Sequence, residues 1–163
     1  FGPGTEDDLK WWTGWPVTRV RKALGKLAAA EVGLDGGRTG YVLPDDVGPA
    51  PSQPPWAALL PGLDPAVMGW AMPGREWFLG ENVRGALYDR SGNVGPTVWW
   101  DGRVVGGWAQ RADGEVVYRL LEDVGADGRA AVHTAAGKLQ AWLGDVRVTP
   151  KFRTPLEKEL VTR

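Results

Sequence analysis

Cationic side chains with helical spacing are the feature of this sequence best suited to binding chemistry. Arg19, Lys22 and Lys26 fall at positions i, i+3 and i+7 of a helix predicted over residues 16–30, and Thr18 lies beside them. Side chains of these types can contact phosphate oxygens and base edges when a helix enters a groove of duplex DNA. Solvated helix faces carry the same residues, so DNA contact and an ordinary surface helix are the two alternatives.

The other side of this helix is apolar and is predicted to be buried. Its stripe consists of Val17, Val20, Leu24 and Leu27. A short helix over residues 6–12, capped by Thr5, comes before it. A β-hairpin with strands at 31–34 and 39–43 comes after it, and Arg38 at the hairpin tip is placed to reach the DNA backbone or minor groove.

The order of these elements is that of a winged helix without its first helix. We predict a winged-helix segment over residues 1–48, with Phe1 at the end of the connection from the absent helix, and hence a truncated fragment. Residues 49–56 lie in a proline-rich stretch, PDDVGPAPSQPP, which predicts a linker. Residues 57–163 are predicted to form a second domain.

The second domain is predicted to be α+β, with a three-stranded antiparallel meander over residues 94–121. Asp101-Gly102 and Asp113-Gly114 are dipeptides typical of its hairpin turns. A helix over 127–143 has apolar residues on one side, and a shorter helix follows Thr154-Pro155. Weaker patterns predict strands at 56–60 and 146–149 and short helices at 64–70 and 81–87.

Trp99, Trp100 and Trp108 in the meander raise the alternative of an aromatic surface for sugars or bases. Adjacent strand residues point to opposite faces, so Trp99 and Trp100 cannot belong to one platform. We therefore predict that these indoles mainly form core. Trp108 should share a face with Val104 unless the Gly106-Gly107 pair makes a bulge.

Few residues in this chain are suited to catalysis or to binding a metal ion. There is no cysteine, and the only histidine is His133, so neither a zinc cluster nor an ordinary Ser-His-Asp triad is expected. Glu122-Asp123 is more typical of a solvated turn than of an acid/base pair. Asp64-Pro65 is more typical of a helix cap than of a catalytic nucleophile. We predict no catalytic residue, no metal and no cofactor.

Length and charge limit the kinds of partner. With 163 residues and a formal net charge of −1, the chain is not expected to bind nucleic acid over its whole surface, so contacts must come from a local basic patch. The sequence has no signal peptide and no apolar run near the ~20 residues of a membrane span. A cytoplasmic location is the default expectation.

Six ordered blocks of this sequence resemble one family. They are TEDDLKWWTGWPVTRVRKAL, YVLPDD, LLPGLDPAVMGW, GNVGPTVWWDGRVVGGWAQ, LLEDVG and RVTPKFRTPLEKEL. The blocks resemble the C-terminal part of the winged helix DNA-binding domain-containing proteins, which include the AlkZ/YcaQ-type DNA glycosylases. The resemblance implies tandem winged helices around duplex DNA and, in the glycosylase branch, excision of alkylated or crosslinked bases.

That branch carries a catalytic Gln-x-Gln or Gln-x-Asp motif in its N-terminal region. The glutamines here are Gln53, Gln110 and Gln140, and none has Gln or Asp two residues later. No catalytic residue is therefore carried over from the family.

The sequence thus predicts a DNA-binding protein fragment that recognises duplex DNA and is noncatalytic by itself. One alternative is that the parent is a glycosylase whose catalytic residues lie in the absent N-terminal region. The other is an interaction module, with a homodimer formed through apolar surface that the truncation exposes around Val17, Val20 and Leu24.

Overall fold

The computed structural model describes residues 2–49, 51–80 and 83–162, and the chain forms two compact units. The first unit contains the chain up to Gln53 together with Gly69–Gly74, and the second contains Pro54–Met68 and the chain from Arg75 onward. The sequence did not predict that Gly69–Gly74 would belong to the first unit. Secondary structure is mixed, with helices and two antiparallel sheets, which confirms the α+β class.

The first unit has two helices followed by a hairpin. Its elements are α1 (Glu6–Thr13), α2 (Val17–Lys26), β1 (Ala30–Leu34) and β2 (Arg38–Val42). The strands pair antiparallel, with Leu34 opposite Arg38 at the turn end. Gly36 and Gly37 both have positive φ in that turn, which glycine adopts without a Cβ clash. The predicted hairpin is confirmed to within one residue at each strand.

Helix α2 is shorter than its pattern predicted. It ends at Lys26, and Ala28 then adopts a left-handed φ of 49° that turns the chain towards β1. Leu27 is consequently 58% exposed, whereas Val20 is 2% exposed. The prediction of Leu27 in the buried stripe was wrong, because the helix stops before its last turn can pack.

The second unit contains a four-stranded antiparallel sheet in the order β3-β4-β5-β6. Its strands are β3 (Ala57–Leu60), β4 (Thr97–Trp100), β5 (Arg103–Gln110) and β6 (Val116–Leu120). The predicted meander and the predicted strand near residues 56–60 are both confirmed. Asp101 and Gly102 have φ of 47° and 79°, the conformation that a two-residue hairpin loop requires.

In the described part of the second unit, four α-helices accompany the sheet, and they are α3 (Pro65–Met68), α4 (Arg84–Leu87), α5 (Gly125–Leu143) and α6 (Pro155–Thr162). The helix predicted over residues 127–143 and the shorter helix predicted after Thr154-Pro155 are both confirmed. Of the helix predicted over residues 81–87, positions 81 and 82 lie outside the described residues. None of the helices in the described part of the chain has the length and hydropathy needed to cross a bilayer.

The strand predicted at 146–149 is absent from the described structure. The side-chain amide of Gln110 holds this segment instead, donating from Nε2 to the Val146 carbonyl at 3.0 Å and accepting the Val148 N–H on Oε1 at 2.9 Å. Val146 and Val148 are both exposed, so their β propensity is not matched by burial. A buried glutamine replaces the strand ladder here.

The three meander tryptophans are structural, as predicted. Trp99 is buried, stacks on Phe78 with ring centroids 5.5 Å apart and donates from Nε1 to Thr97 Oγ1 at 2.9 Å. Trp100 and Trp108 pack against a separate core cluster of Val98, Val105 and Val132. Trp108 also donates from its indole N–H to the Leu60 carbonyl at 2.8 Å.

A β-bulge shifts the register of β5 against β4. Val98 lies opposite Gly106 and Trp99 lies opposite Val104, so Val105 has no partner of its own in the register. The bulge therefore comes just before the Gly106-Gly107 pair and places Val104 and Trp108 on different faces of the sheet.

Candidate nucleic-acid interface

The basic face of α2 is on the surface of the first unit. Thr18, Arg19, Lys22 and Lys26 are all exposed. The structure thus places these four predicted residues together on one side of the helix, opposite the buried Val20. Such a face can present hydroxyl, guanidinium and ammonium donors to an anionic surface.

Arg38 does not lie at the hairpin tip, where the sequence placed it. It is the first residue of β2, one position beyond the turn, and it is half-buried opposite Leu34. It lines a surface pocket of about 610 Å³ within the first unit, together with Arg21, Thr39 and Tyr41. The tip itself consists of Asp35, Gly36 and Gly37, and none of these residues is cationic.

An ion pair fixes α2 against α1. Arg21 Nε donates to Glu6 Oε1 at 2.9 Å and its Nη2 donates to Oε2 at 2.9 Å. This paired contact occupies one edge of the guanidinium. Arg21 therefore serves to align the two helices, whereas Arg19, Lys22 and Lys26 lie exposed on the neighbouring face.

The hydrogen bond from Arg21 lowers the pKa of Glu6, and the charge of Arg21 acts in the same direction against the effect of burial. A carboxyl whose pKa is lowered by folding stabilises the fold above its unfolded pKa and loses this contribution as the pH falls through the folded value. We expect the melting temperature of Glu6→Gln to lie below that of the wild type at neutral pH. The gap should close in acid.

Thermal melts of both proteins from neutral pH to pH 3 would check this expectation. Asp89 and Asp123 also have lowered pKa values. Both residues are present in the wild type and in the variant, so their contributions cancel when the two melting temperatures are subtracted. The gap should be small because Arg21 is largely exposed. A gap that widens as the pH falls would contradict the assignment.

Asp8 organises the N-terminal end of α1, a role that the sequence did not reveal. Its Oδ2 accepts the Thr5 N–H at 2.9 Å and the Thr5 hydroxyl at 2.7 Å, and Thr5 Oγ1 accepts the Asp8 N–H in return. Its Oδ1 accepts the Ala71 N–H at 2.9 Å. One buried carboxylate thus caps α1 and holds the segment Gly69–Gly74 within the first unit.

The turn between α1 and α2 is tightly defined. Gly14 ends α1 with a left-handed φ of 65° and donates its N–H to the Lys10 carbonyl. Thr13 Oγ1 donates to the Leu9 carbonyl at 2.6 Å and accepts the Trp15 N–H at 3.1 Å. Pro16 has extended backbone and is the N-cap of α2, so the helix begins at Val17, one residue later than the sequence predicted.

The other candidate groups do not form a reactive site. Glu122 and Asp123 pair with different arginines, Arg103 at 3.5 Å and Arg129 at 2.7 Å. Asp64 accepts the Ala66 N–H at 2.8 Å as a helix cap. His133 is exposed on α5. Within the described ranges, no group of three His, Asp or Glu side chains is arranged to hold a metal ion.

Two of the three glutamines have structural partners. Gln110 holds the 146–148 segment, as described above, and Gln140 Oε1 accepts the Val116 N–H at 3.0 Å. Gln53 lies exposed in the proline-rich segment.

The first unit therefore has two helices, a hairpin and an exposed basic helix face, joined in sequence to an α+β unit. The family model of AlkZ-like DNA glycosylases, "DNA glycosylase AlkZ-like", matches residues 1–142. The chain belongs to this family. The relation to AlkZ-type DNA glycosylases that the six sequence blocks indicate is thereby confirmed.

Among solved structures, the Streptomyces sahachiroi DNA glycosylase AlkZ is similar to this chain, with a TM-score of 0.63 and 28% sequence identity. The match covers 83% of this chain and 40% of that protein. The chain thus corresponds to less than half of the length of the glycosylase it resembles. No curated protein sequence matches the chain.

Proposed function

We propose that this chain is a DNA-binding portion of a DNA glycosylase and that its first unit contacts duplex DNA as a winged helix. The observation that carries the proposal is the exposed basic face of α2 in a chain of this family. Thr18, Arg19, Lys22 and Lys26 would contact the backbone and base edges, and Arg38 would add a contact from the hairpin.

We propose further that the chain does not excise bases by itself. None of its glutamines forms the motif of the glycosylase branch, and Gln110 and Gln140 are engaged in structural hydrogen bonds. The chain would hold duplex DNA while another part of the full-length protein supplies the chemistry. An alkylated-duplex cleavage assay with the 163-residue chain should therefore show no excision.

The binding proposal predicts a specific loss in Arg19→Ala/Lys22→Ala. The plot of log affinity against log salt has a negative slope, and each lost phosphate contact makes it shallower by about 0.9. The slope of the double variant should therefore be shallower by about 1.8, and its affinity should be about tenfold weaker. Fluorescence anisotropy of a labelled duplex over a salt series measures both quantities.

Lys138→Ala/Lys158→Ala is the matched control, because it removes two exposed cations from helices of the second unit. It should retain the wild-type affinity and slope. An Arg19→Ala/Lys22→Ala protein with the same affinity and slope as the control would contradict DNA contact by α2. A chain that leaves duplex unshifted and scatters light as a dimer would support the interaction-module alternative instead.

A further inference from the structure

Trp15 and Arg19 form a stacked pair at the start of α2. The Arg19 guanidinium carbon lies 4.8 Å from the centroid of the Trp15 ring. Helical side chains lean towards the N-terminus, so Arg19, which is the third residue of α2 and lies four positions after Trp15, reaches back over the turn that precedes the helix. The hydrogen bond from the backbone N–H of Trp15 to Thr13 Oγ1 and the extended backbone of Pro16 define the turn from which the indole projects.

Arg19 differs from its neighbour Arg21 in what its guanidinium contacts. Arg21 uses its edge on the Glu6 carboxylate, whereas the Arg19 guanidinium lies over the indole of Trp15. Within the described residues, no hydrogen bond or ion pair engages the Arg19 guanidinium. Guanidinium N–H groups donate in the plane of the group, so stacking leaves their fork open to an acceptor with two oxygens.

We propose that Trp15 is a positioning residue that holds Arg19 ready to bind two oxygens of one phosphodiester of the DNA backbone. The stack restricts the arginine before the ligand arrives, so less side-chain freedom is lost on binding. Thr18 and Lys22 lie exposed on adjacent positions of the helix and would serve neighbouring phosphates. This inference rests on the proposed function and assigns its first contact.

A double-mutant cycle of Trp15→Ala and Arg19→Ala, measured by anisotropy over a salt series, tests the inference. Arg19→Ala should make the plot of log affinity against log salt shallower by about 0.9. Trp15→Ala should weaken binding about two- to fivefold, the size of an exposed cation–π contact, and leave most of the slope in place. In the Arg19→Ala background, Trp15→Ala should have no further effect.

Two conservative variants separate positioning from a structural role. Arg19→Lys keeps the charge but lacks the planar fork, so it should weaken binding without changing the salt slope. Trp15→Phe keeps an aromatic face and should bind better than Trp15→Ala. These two variants decide the matter if Trp15→Ala fails to fold by circular dichroism. Trp142→Ala, which removes an exposed indole from the second unit, is the matched control.

Three outcomes would overturn the inference. They are no effect of Trp15→Ala on binding, an equal effect with and without Arg19, and an Arg19→Lys protein that binds like the wild type. A guanine edge offers the same paired acceptors as a phosphate. An Arg19→Ala loss of the same size on A·T-only and G·C-containing duplexes supports the phosphodiester, and a loss confined to the latter overturns it.

The inference and the proposed function fail in distinguishable ways. If Lys22→Ala/Lys26→Ala weakens duplex binding while Trp15→Ala does not, the basic face binds DNA and only the role of Trp15 is wrong. If neither variant alters duplex affinity, DNA contact by α2 is itself contradicted, and the inference is overturned with it.

Discussion

Phe78→Ala is expected to lower the free energy of unfolding of the second unit by about 3–5 kcal/mol. Phe78 is 1% exposed, stacks on Trp99 and meets the Trp77 ring edge-on with centroids 5.0 Å apart. Removing the ring loses its buried area and leaves a cavity that fixed neighbours can fill only in part. A loss of this size is a large share of the 5–15 kcal/mol typical of a whole domain.

Denaturant unfolding of the wild type and the variant, followed by far-UV circular dichroism, measures the change. Trp77→Ala is the control, because this adjacent aromatic side chain is 54% exposed and its removal should cost much less. Phe78→Leu should fall between the two, since it retains part of the buried volume. Equal losses for Phe78→Ala and Trp77→Ala would contradict the packing described for this core.

Asp8→Ala is expected to destabilise the first unit by about 3 kcal/mol and to abolish duplex binding at temperatures where the wild type still binds. The change removes the acceptor for two Thr5 groups and for the Ala71 N–H. Each hydrogen bond to a charged group contributes about 1.5–3 kcal/mol, and partly buried donors without an acceptor add their desolvation cost.

Asp7→Ala is a close control, because Asp7 carries the same charge one residue earlier in α1 and is exposed. Melting temperatures and duplex affinity should change little in that variant. Asp8→Asn keeps an acceptor oxygen and should retain part of the stability. If Asp8→Ala has the same melting temperature as Asp7→Ala, the Asp8 carboxylate does not hold the first unit together.

Local patterns predicted most of the fold. The hairpin at Ala30–Val42, the meander and α5 follow from turn dipeptides, alternation and helical periodicity, which depend on neighbours in sequence. The predictions failed where a distant side chain decides the structure. Gln110 holds residues 146–148 without a strand, and Asp8 binds Ala71 across 63 positions of sequence.

The sequence predicted which residues make up the candidate site better than it predicted where each of them lies. The exposed face of α2 followed from its spacing, but Arg38 moved from the hairpin tip into β2 and Leu27 moved out of the core. The Trp15–Arg19 stack was missed, although an aromatic residue four positions before an arginine at a helix start is a readable signal. The sequence could not show that Arg21 would be engaged by Glu6, because that contact depends on how α1 and α2 pack.

The return of Gly69–Gly74 to the first unit makes that unit discontinuous in sequence. The polypeptide passes between the units at 53/54, 68/69 and 74/75. Cleavage of the chain at one position therefore cannot separate the complete first unit, which contains the basic helix, from the second. A fragment ending at Gln53 would leave the Asp8 carboxylate without its Ala71 donor. A fragment that retains the whole proposed DNA-contacting unit must therefore extend to Gly74 and carry Pro54–Met68 of the second unit with it.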